Sequence, residues 1–550
     1  MGKNQSVLDT ATTPSTDSKQ TIPECEPPAS PSRSENPPRI LVIGAGSRGN
    51  SYARAIRDST AGKVVAVAEP IKFKRHAFGG KYIWGESTAA EGQEFGSWEQ
   101  WLEWEKLRRK RQTAGEKVPD GVDGVLVCTL DETHVEIITA IAPLNLHILS
   151  EKPLATKLED CLRIYSSLLP SGPRSDPSAI FAVGHVLRYS PHNMLLRRLL
   201  LEERVVGELI SIEHTEPVGW WHFSHSYVRG NWRKESTTAP SLLTKSCHDI
   251  DLLLWLLSSP PSGSKRPPHL PVRVSSTGHL VHFKPSRKPA SAGDATNCLS
   301  CPAESQCQYS AKKIYLDRNL RQGNTGWPVK IVSPDIEDIM QRDGLDAAER
   351  KLLRSLAEDH SPSMSAQEIE GRPWFGRCVF DAGNDVCDDQ FVTIEWEDDP
   401  IPDFTDGIPG KLRDRGAKTA TLHMIAFTEK ICERRGRVYG DQGEVEYDSN
   451  VIRVHSFASN KTKTYHPRQA GGGHGGGDDG LASQFVSAIE AVKNQCLDVK
   501  EAQVRYVGCT LEDVIRSHAL VFAAEEARRC HKVVNWTDWW QHNVELAFQK

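Results

Sequence analysis

A short apolar run at residues 40–43 leads directly into Gly44, Gly46 and Gly49, and no other stretch limits the fold of this chain as tightly. The glycines stand in GxGxxG spacing, the sequence after them is helix-compatible, and a second apolar run at residues 64–68 ends in Glu69. Strand, glycine turn, helix and strand within residues 39–69 read as a βαβ unit with the dinucleotide fingerprint. Gly44 makes the tight turn, Gly46 lets the backbone approach a pyrophosphate, and Gly49 packs the helix close on the strand. The helix start, with Ser47 and Arg48, offers free N–H groups to phosphates. Glu69 comes about 20 residues after the last glycine, where a carboxylate receives the adenosine ribose hydroxyls.

Beyond Glu69 the cations Lys72, Lys74 and Arg75 have two readings, partners of a 2′-phosphate or a solvated basic stretch. Because Glu69 repels a 2′-phosphate, NAD is expected and NADP stays open. Residues 97–111 (SWEQWLEWEKLRRKR) predict an amphipathic crossover helix with a charged extension. Residues 124–130 (GVLVCTL) form another buried-strand pattern, followed by Asp131, Glu132, Thr133 and His134. A further strand at residues 147–150 leads into Glu151, Lys152 and Pro153. In a doubly wound sheet the C-terminal strand ends line the ligand crevice, so Lys152 emerges beside the glycine turn. There its ammonium can bond a substrate oxygen and stabilise negative charge developing on it.

The series RILVIGAGSRG, VAVAE, GVLVCTLDETH and SEKPLA, in that order and spacing, resembles the glucose–fructose oxidoreductase / inositol dehydrogenase / rhizopine catabolism (Gfo/Idh/MocA) family. The resemblance implies that Lys152 is the catalytic lysine. It also implies that Thr129, His134, Glu151 and Lys152 adjoin the cofactor with the glycine loop. Thr129, Leu130 and Asp131 depart from the family's usual Thr-Pro-Asn or Thr-Pro-Asp, while the following histidine is kept as His134. Residues 179–184 read as the last strand of the first domain. HVLRYSP then resembles the family's passage into the second, where Arg188 and Tyr189 either meet substrate or anchor the junction.

In the second half, SLLTKSCHDIDLLLWLL at residues 241–257 carries apolar residues at helical spacing, with His248 and Asp251 on one face. A histidine facing a crevice is a candidate general base because its pKa lies near operating pH. The resemblance matches His248 to the family's catalytic histidine and Asp251 to an accompanying structural acid. Four residues before His248, where the family often has Asp, stands Thr244; Lys245 or Asp249 is the candidate replacement for substrate contact. In GGGHGGGDD, His474 is a secondary substrate candidate, and Asp478 or Asp479 is expected to cap the helix that follows. Cys298, Cys301 and Cys307 lie close together in a polar loop, where three thiols can surround one structural zinc. Cys378 is the best fourth ligand, with Cys387 and His282 behind it; unmetallated thiols are the alternative.

The expected architecture is α/β: an N-terminal Rossmann doubly wound parallel sheet and a C-terminal α+β domain with a large open, mostly antiparallel sheet. The expected divisions are a disordered Ser/Thr/Pro-rich tail at 1–37, a nucleotide domain at 38–186, and a substrate and oligomerisation domain at 187–550 with a Cys-rich insertion near 285–390. A net charge of −5 gives no positive excess for nucleic acid, so none is expected as partner. The longest apolar run near a helix, residues 252–257, is far too short for a bilayer, so no membrane partner is expected. Thirteen cysteines without an apolar secretory leader fit a reducing compartment, the cytoplasm. The resemblance implies a homo-oligomer built through the C-terminal sheet. It further implies hydride transfer between nicotinamide and a secondary alcohol or ketone of a sugar, cyclitol or related polyol. A non-catalytic dinucleotide-binding regulator of the same fold and an NAD-dependent glycosidase are the alternatives.

Overall fold

The computed structural model describes residues 34–549 except 170–171, 173–174, 262–263, 265, 362, 401–411, 413–414 and 469–472. Residues 1–33 of the expected tail therefore lie outside the described residues. Six strands open the fold: β1 (Arg39–Ile43), β2 (Lys63–Ala68), β3 (Glu94–Phe95), β4 (Gly124–Val127), β5 (His147–Ser150) and β6 (Phe181–Val183). They pair in the order β3-β2-β1-β4-β5-β6, and every pairing is parallel. That order is doubly wound, with its switch point between β1 and β4. Helices α1 (Ser47–Ser59), α2 (Lys72–Tyr82), α3 (Trp98–Thr113), α4 (His134–Ile141) and α5 (Leu158–Ser167) make the connections. With both faces covered, β1 and β4 are buried almost end to end, which is why they read as continuous apolar runs. The charged part of α3 is not wholly solvated. Glu105 is fully buried and accepts two hydrogen bonds from Arg108, at 2.7 and 2.8 Å.

The second sheet has nine strands: β7 (Leu209–Pro217), β8 (Arg273–His279), β9 (Asp389–Trp396), β10 (Lys418–Ile425), β11 (Arg435–Gly440), β12 (Gly443–Tyr447), β13 (Ile452–Ser456), β14 (Lys461–Tyr465) and β15 (Val534–Asn535). Their order is β14-β13-β12-β11-β7-β10-β9-β8-β15. All pairings are antiparallel except β7 with β10. Burial alternates along β10, with Ala420, Leu422 and Met424 inward and Thr419, Thr421 and His423 on the other face, as a sheet packed on one side requires. Helix α6 (Ser241–Leu257) packs against β7 and β10, α7 (Gly477–Gln495) against α1, and α8 (Leu511–Cys530) against α6 and β8.

Every residue of α6 except Trp255 is buried. A helix apolar on all sides would need nothing further, but α6 also buries Lys245, His248, Asp249 and Asp251, and each buried charge must find a partner. Asp251 is satisfied by Arg188, whose Nε and Nη2 donate to the two carboxylate oxygens at 2.7 and 2.8 Å. The Tyr189 hydroxyl donates to the Val507 carbonyl at 2.8 Å. Arg188 and Tyr189 thus tie the passage between the sheets to α6 and to residue 507.

Two further expectations change. Asp478 and Asp479 do not cap α7: its N-cap is Gly476, and the two acids reach across to α1. The amphipathic pattern of residues 504–530 predicts one long helix, but the helix begins at Leu511, where Thr510 and Asp513 form a capping box, because Gly508 turns into the left-handed region (φ 62°) just before it.

Burial alone would raise the Asp251 carboxyl, yet the Arg188 charge and hydrogen bonds outweigh it and hold it below the usual carboxylate range. Replacing Arg188 by alanine leaves that carboxylate buried and largely uncompensated, and should cost about 3–5 kcal/mol. The denaturant midpoint of Arg188→Ala should fall accordingly, with the slope unchanged.

Candidate active site

The glycine turn is shaped by what a side chain would strike. Gly44 has φ 95°, and a Cβ there would lie 2.5 Å from the Cys128 carbonyl oxygen. A Cβ on Gly49 would lie 2.1 Å from the Gly44 oxygen. Gly46 differs, for its Cβ position has nothing within 4 Å. It is also the N-cap of α1 and supplies no capping side chain, so the first-turn N–H groups are open to an anion, with Ser47 exposed beside them. This cradle fits a dinucleotide pyrophosphate.

Glu69 closes β2 and is buried, with Oε2 accepting from Ala45 N and Oε1 from Ile71 N, both at 2.9 Å. Each oxygen keeps a lone pair for a ribose hydroxyl. Of the three nearby cations, Arg75 is committed: it donates to the Glu69 carbonyl at 2.6 Å and pairs with Glu94 at 2.8 Å.

Arg48 acts as a hub rather than a free phosphate ligand. It donates to Glu151 at 2.7 Å and to both oxygens of Asp478 at 2.7 and 3.0 Å, tying α1 to the end of β5 and the start of α7. Burial opposes ionisation of Glu151 and Asp478, but the Arg48 charge, and for Asp478 the His474 hydrogen bond, hold both carboxyls below their ordinary values. Thr129 accepts from the Thr133 hydroxyl at 2.7 Å. His134 is fully buried and its Nδ1 lies 2.9 Å from the Pro153 carbonyl oxygen, so it buttresses the turn that carries Lys152.

Lys152 leaves the end of β5 and crosses to the second half of the chain. Its ammonium donates to the Thr244 carbonyl on α6 at 2.5 Å and sits 5.8 Å from the centre of the Trp232 ring. Trp232 in turn donates its indole N–H to Asp131 at 2.8 Å. One turn along α6 from Thr244 is His248, 2% exposed, with Nε2 at 2.7 Å from the Arg434 Nη2. Burial first, then the Arg434 charge, pushes the His248 pKa well below its ordinary value, so the ring is neutral. His474 also arrives here from its glycine-rich turn, with its ring edge-on to that of His248 at 6.0 Å and its Nδ1 2.9 Å from Asp478.

The two candidate replacements for the missing aspartate are both committed elsewhere. Lys245 lies 3.1 Å from Glu216 and 2.8 Å from the Cys432 sulfur. Asp249 accepts from Arg434 Nε at 2.5 Å and lies 3.1 Å from His214 Nε2. Sequence reasoning missed Arg434, Glu216, Trp232 and Cys432. Arg434 lies in a basic run, ICERRGR, whose only sequence signal is charge, and its importance comes from a pairing across 185 residues.

The zinc expectation is corrected. Among the described residues no group of three or more His, Cys, Asp or Glu side chains is arranged to hold a metal ion. The buried Arg229 guanidinium stands against the thiols instead, with Nη2 3.4 Å from the Cys298 sulfur, while Nε donates to the Arg377 carbonyl. Burial pushes the thiols of Cys307 and Cys378 up. Cys387, the reserve ligand, is pushed up by burial to about 12. No helix among the described residues is long and apolar enough to cross a membrane.

The protein is a two-sheet fold in which the glycine turn and a buried polar cluster are linked through Lys152 and Arg48. Residues 38–169 match the model of an oxidoreductase family with an NAD-binding Rossmann fold, Gfo/Idh/MocA. The resemblance read from the sequence is borne out over those residues, which are similar to the NAD-binding Rossmann fold of the Gfo/Idh/MocA oxidoreductases. It is 22% identical over 370 residues to YteT of Bacillus subtilis, covering 65% of this chain and 70% of that one. It is 28% identical over 219 residues to inositol 2-dehydrogenase 2 of Saccharopolyspora erythraea, covering 40% of this chain but only 53% of that protein. The fold is also that of an inositol dehydrogenase homolog from Azotobacter vinelandii, solved with NADH and myo-inositol. The TM-score is 0.53 at 13% identity, covering 92% of this chain and all of that one.

The contrast between the glycines is testable. Gly46→Val should leave thermal stability unchanged and weaken NAD binding at least about tenfold by calorimetry, since the new side chain fills only the phosphate approach. Gly49→Ala should instead lower stability.

Proposed function

We propose that this protein is an NAD-dependent oxidoreductase that transfers hydride between the nicotinamide and a secondary alcohol or ketone of a sugar, cyclitol or related polyol. The observation that carries this reading is the Lys152 ammonium on the Thr244 carbonyl, which draws the end of β5 and the turn of α6 bearing His248 to one point. Gly46, the start of α1 and Glu69 would hold the cofactor, whose nicotinamide supplies the hydride acceptor. The buried Glu69 carboxylate and the committed Arg75 favour NAD over NADP.

Lys152 is in place to stabilise an alkoxide-like substrate oxygen, and its contact to a neutral carbonyl rather than a carboxylate leaves its charge available for that oxygen. His248, neutral and buried, takes the hydroxyl proton at a ring nitrogen and returns it in the reverse direction. Trp232 offers an aromatic face beside Lys152 on which the C–H face of a polyol ring can pack. The names of the relatives, inositol 2-dehydrogenases among them, support a cyclitol-like substrate. The outer face of the nine-stranded sheet is the surface through which copies of the chain would associate.

Two observations favour a second reading, a non-catalytic dinucleotide-binding regulator: the position four residues before His248 is threonine, and the His248 acceptor is covered by Arg434. Lys152→Ala separates the two. It should abolish NAD-linked turnover, by about a thousandfold or more as expected for loss of an electrostatic stabiliser, while NAD affinity stays near wild type. A wild-type rate in that variant would overturn the assignment.

A further inference from the structure

Four charged or titratable groups face the His248 ring: Asp249 on its own helix, Lys152 from the end of β5, His474 from its glycine-rich turn, and Arg434 from the chain entering β11. Among the described residues Arg434 makes the short contact, with Nη2 2.7 Å from Nε2, and Asp249 Oδ2 stands farther off at 3.6 Å from the same nitrogen. A guanidinium keeps all its protons and can only donate, so Nε2 must be the acceptor, and the ring's single proton sits on Nδ1. That Nδ1 is buried and has no hydrogen-bond partner among the described residues.

Arg434 itself is held from behind. Its Nε donates to Asp249 at 2.5 Å and its Nη2 lies 2.9 Å from Glu216, and both acids are wholly buried. Asp249 is fixed in turn by His214, whose other nitrogen lies 2.7 Å from the Tyr447 hydroxyl. Glu216 also faces Lys245 at 3.1 Å. The chain from Tyr447 through His214, Asp249 and Arg434 to His248 thus connects β12, β7, α6 and the start of β11. It is a buried polar network that can orient a ring rather than merely fill space. At the place where the family resemblance leads one to expect an acid, Thr244 offers only its carbonyl, to Lys152.

We propose that Arg434 is the positioning residue of this centre, fixing His248 with its proton on Nδ1 and its acceptor at Nε2, and that the substrate hydroxyl takes the place of the guanidinium at Nε2. The inference rests on the oxidoreductase reading above for its second half only; the tautomer stands on the geometry alone. On exchange, the hydroxyl proton passes to Nε2 and the ring becomes an imidazolium with protons on both nitrogens. The released guanidinium N–H is then free for a neighbouring substrate oxygen, which a vicinal diol supplies and an isolated alcohol does not.

The sign of the charge effect is fixed. A cation against Nε2 disfavours the protonated ring, so removing it makes His248 easier to protonate and moves the acid limb of kcat/KM to higher pH. Arg434→Gln should raise that limb by about one pH unit, an approximately tenfold loss of kcat/KM at a pH on the limb. Arg434→Lys should restore much of the wild-type profile. Because Arg434→Gln leaves two buried acids uncompensated, the deciding measurement uses the wild-type protein. In ¹⁵N-histidine NMR, with the His248 signal identified by its loss in His248→Gln, the ring should show the Nδ1–H tautomer without substrate. The Nε2–H tautomer, or an acid limb unmoved in a folded, NAD-binding Arg434→Gln protein, would overturn the proposal. If the wild-type protein shows the Nδ1–H tautomer but reduces no NAD with any polyol, the oxidoreductase reading fails while the Arg434 assignment remains.

Discussion

One hydrogen bond, from the Lys152 ammonium to the Thr244 carbonyl, joins the two halves of the molecule at the point where chemistry is possible. Everything around it serves to make that contact hold. His134 braces the Pro153 carbonyl immediately after the lysine, Arg48 clamps Glu151 immediately before it, and the Arg188–Asp251 pair fixes α6 two turns further along the same face. Two of these supports, Arg48–Glu151 and Arg188–Asp251, are ion pairs, whose main effect is geometric specificity rather than net stability. A lysine on a flexible four-carbon stem is aimed only if its surroundings leave it one arrangement.

The nucleotide half was legible because its instructions are local. GxGxxG between two apolar runs dictates a turn, a helix start and a strand end within thirty-odd residues, and the acid at Glu69 falls at the distance that one βαβ unit imposes. The strands from β9 to β13 carry a signal that is likewise local, strand-like runs of residues separated by turn glycines such as Gly440 and Gly443. Strand β8 does not, since its serines and threonine carry little apolar alternation, nor does β14, whose exposed KTKTY has none. Arg188, read as either a substrate ligand or an anchor, has its buried carboxylate partner 63 residues away, where no local pattern announces it.

The charges of the second half resisted reading for the same physical reason. Lys245 and Asp249 were weighed as free functional groups because a sequence shows a charge but not its partner. In the fold each is neutralised by a group from another strand, Glu216 on β7 for the lysine and Arg434 before β11 for the aspartate. Cysteine spacing misled in a related way: three close thiols suggest a metal until a buried arginine is found standing against them. Burial makes each such pairing obligatory, so the polar residues of α6 record the tertiary fold more than they record function.

The claim that Lys152 and His248 form a hydride-transfer centre is tested most directly by mixing the wild-type protein with NAD and a panel of cyclitols, aldoses and simple secondary alcohols, and following NADH absorbance. NADH should form with at least one vicinal polyol, and deuterium at its carbinol carbon should slow the reaction. Tight NAD binding with no reduction across the panel, or release of a sugar from a glycoside with no net NADH, would contradict the account.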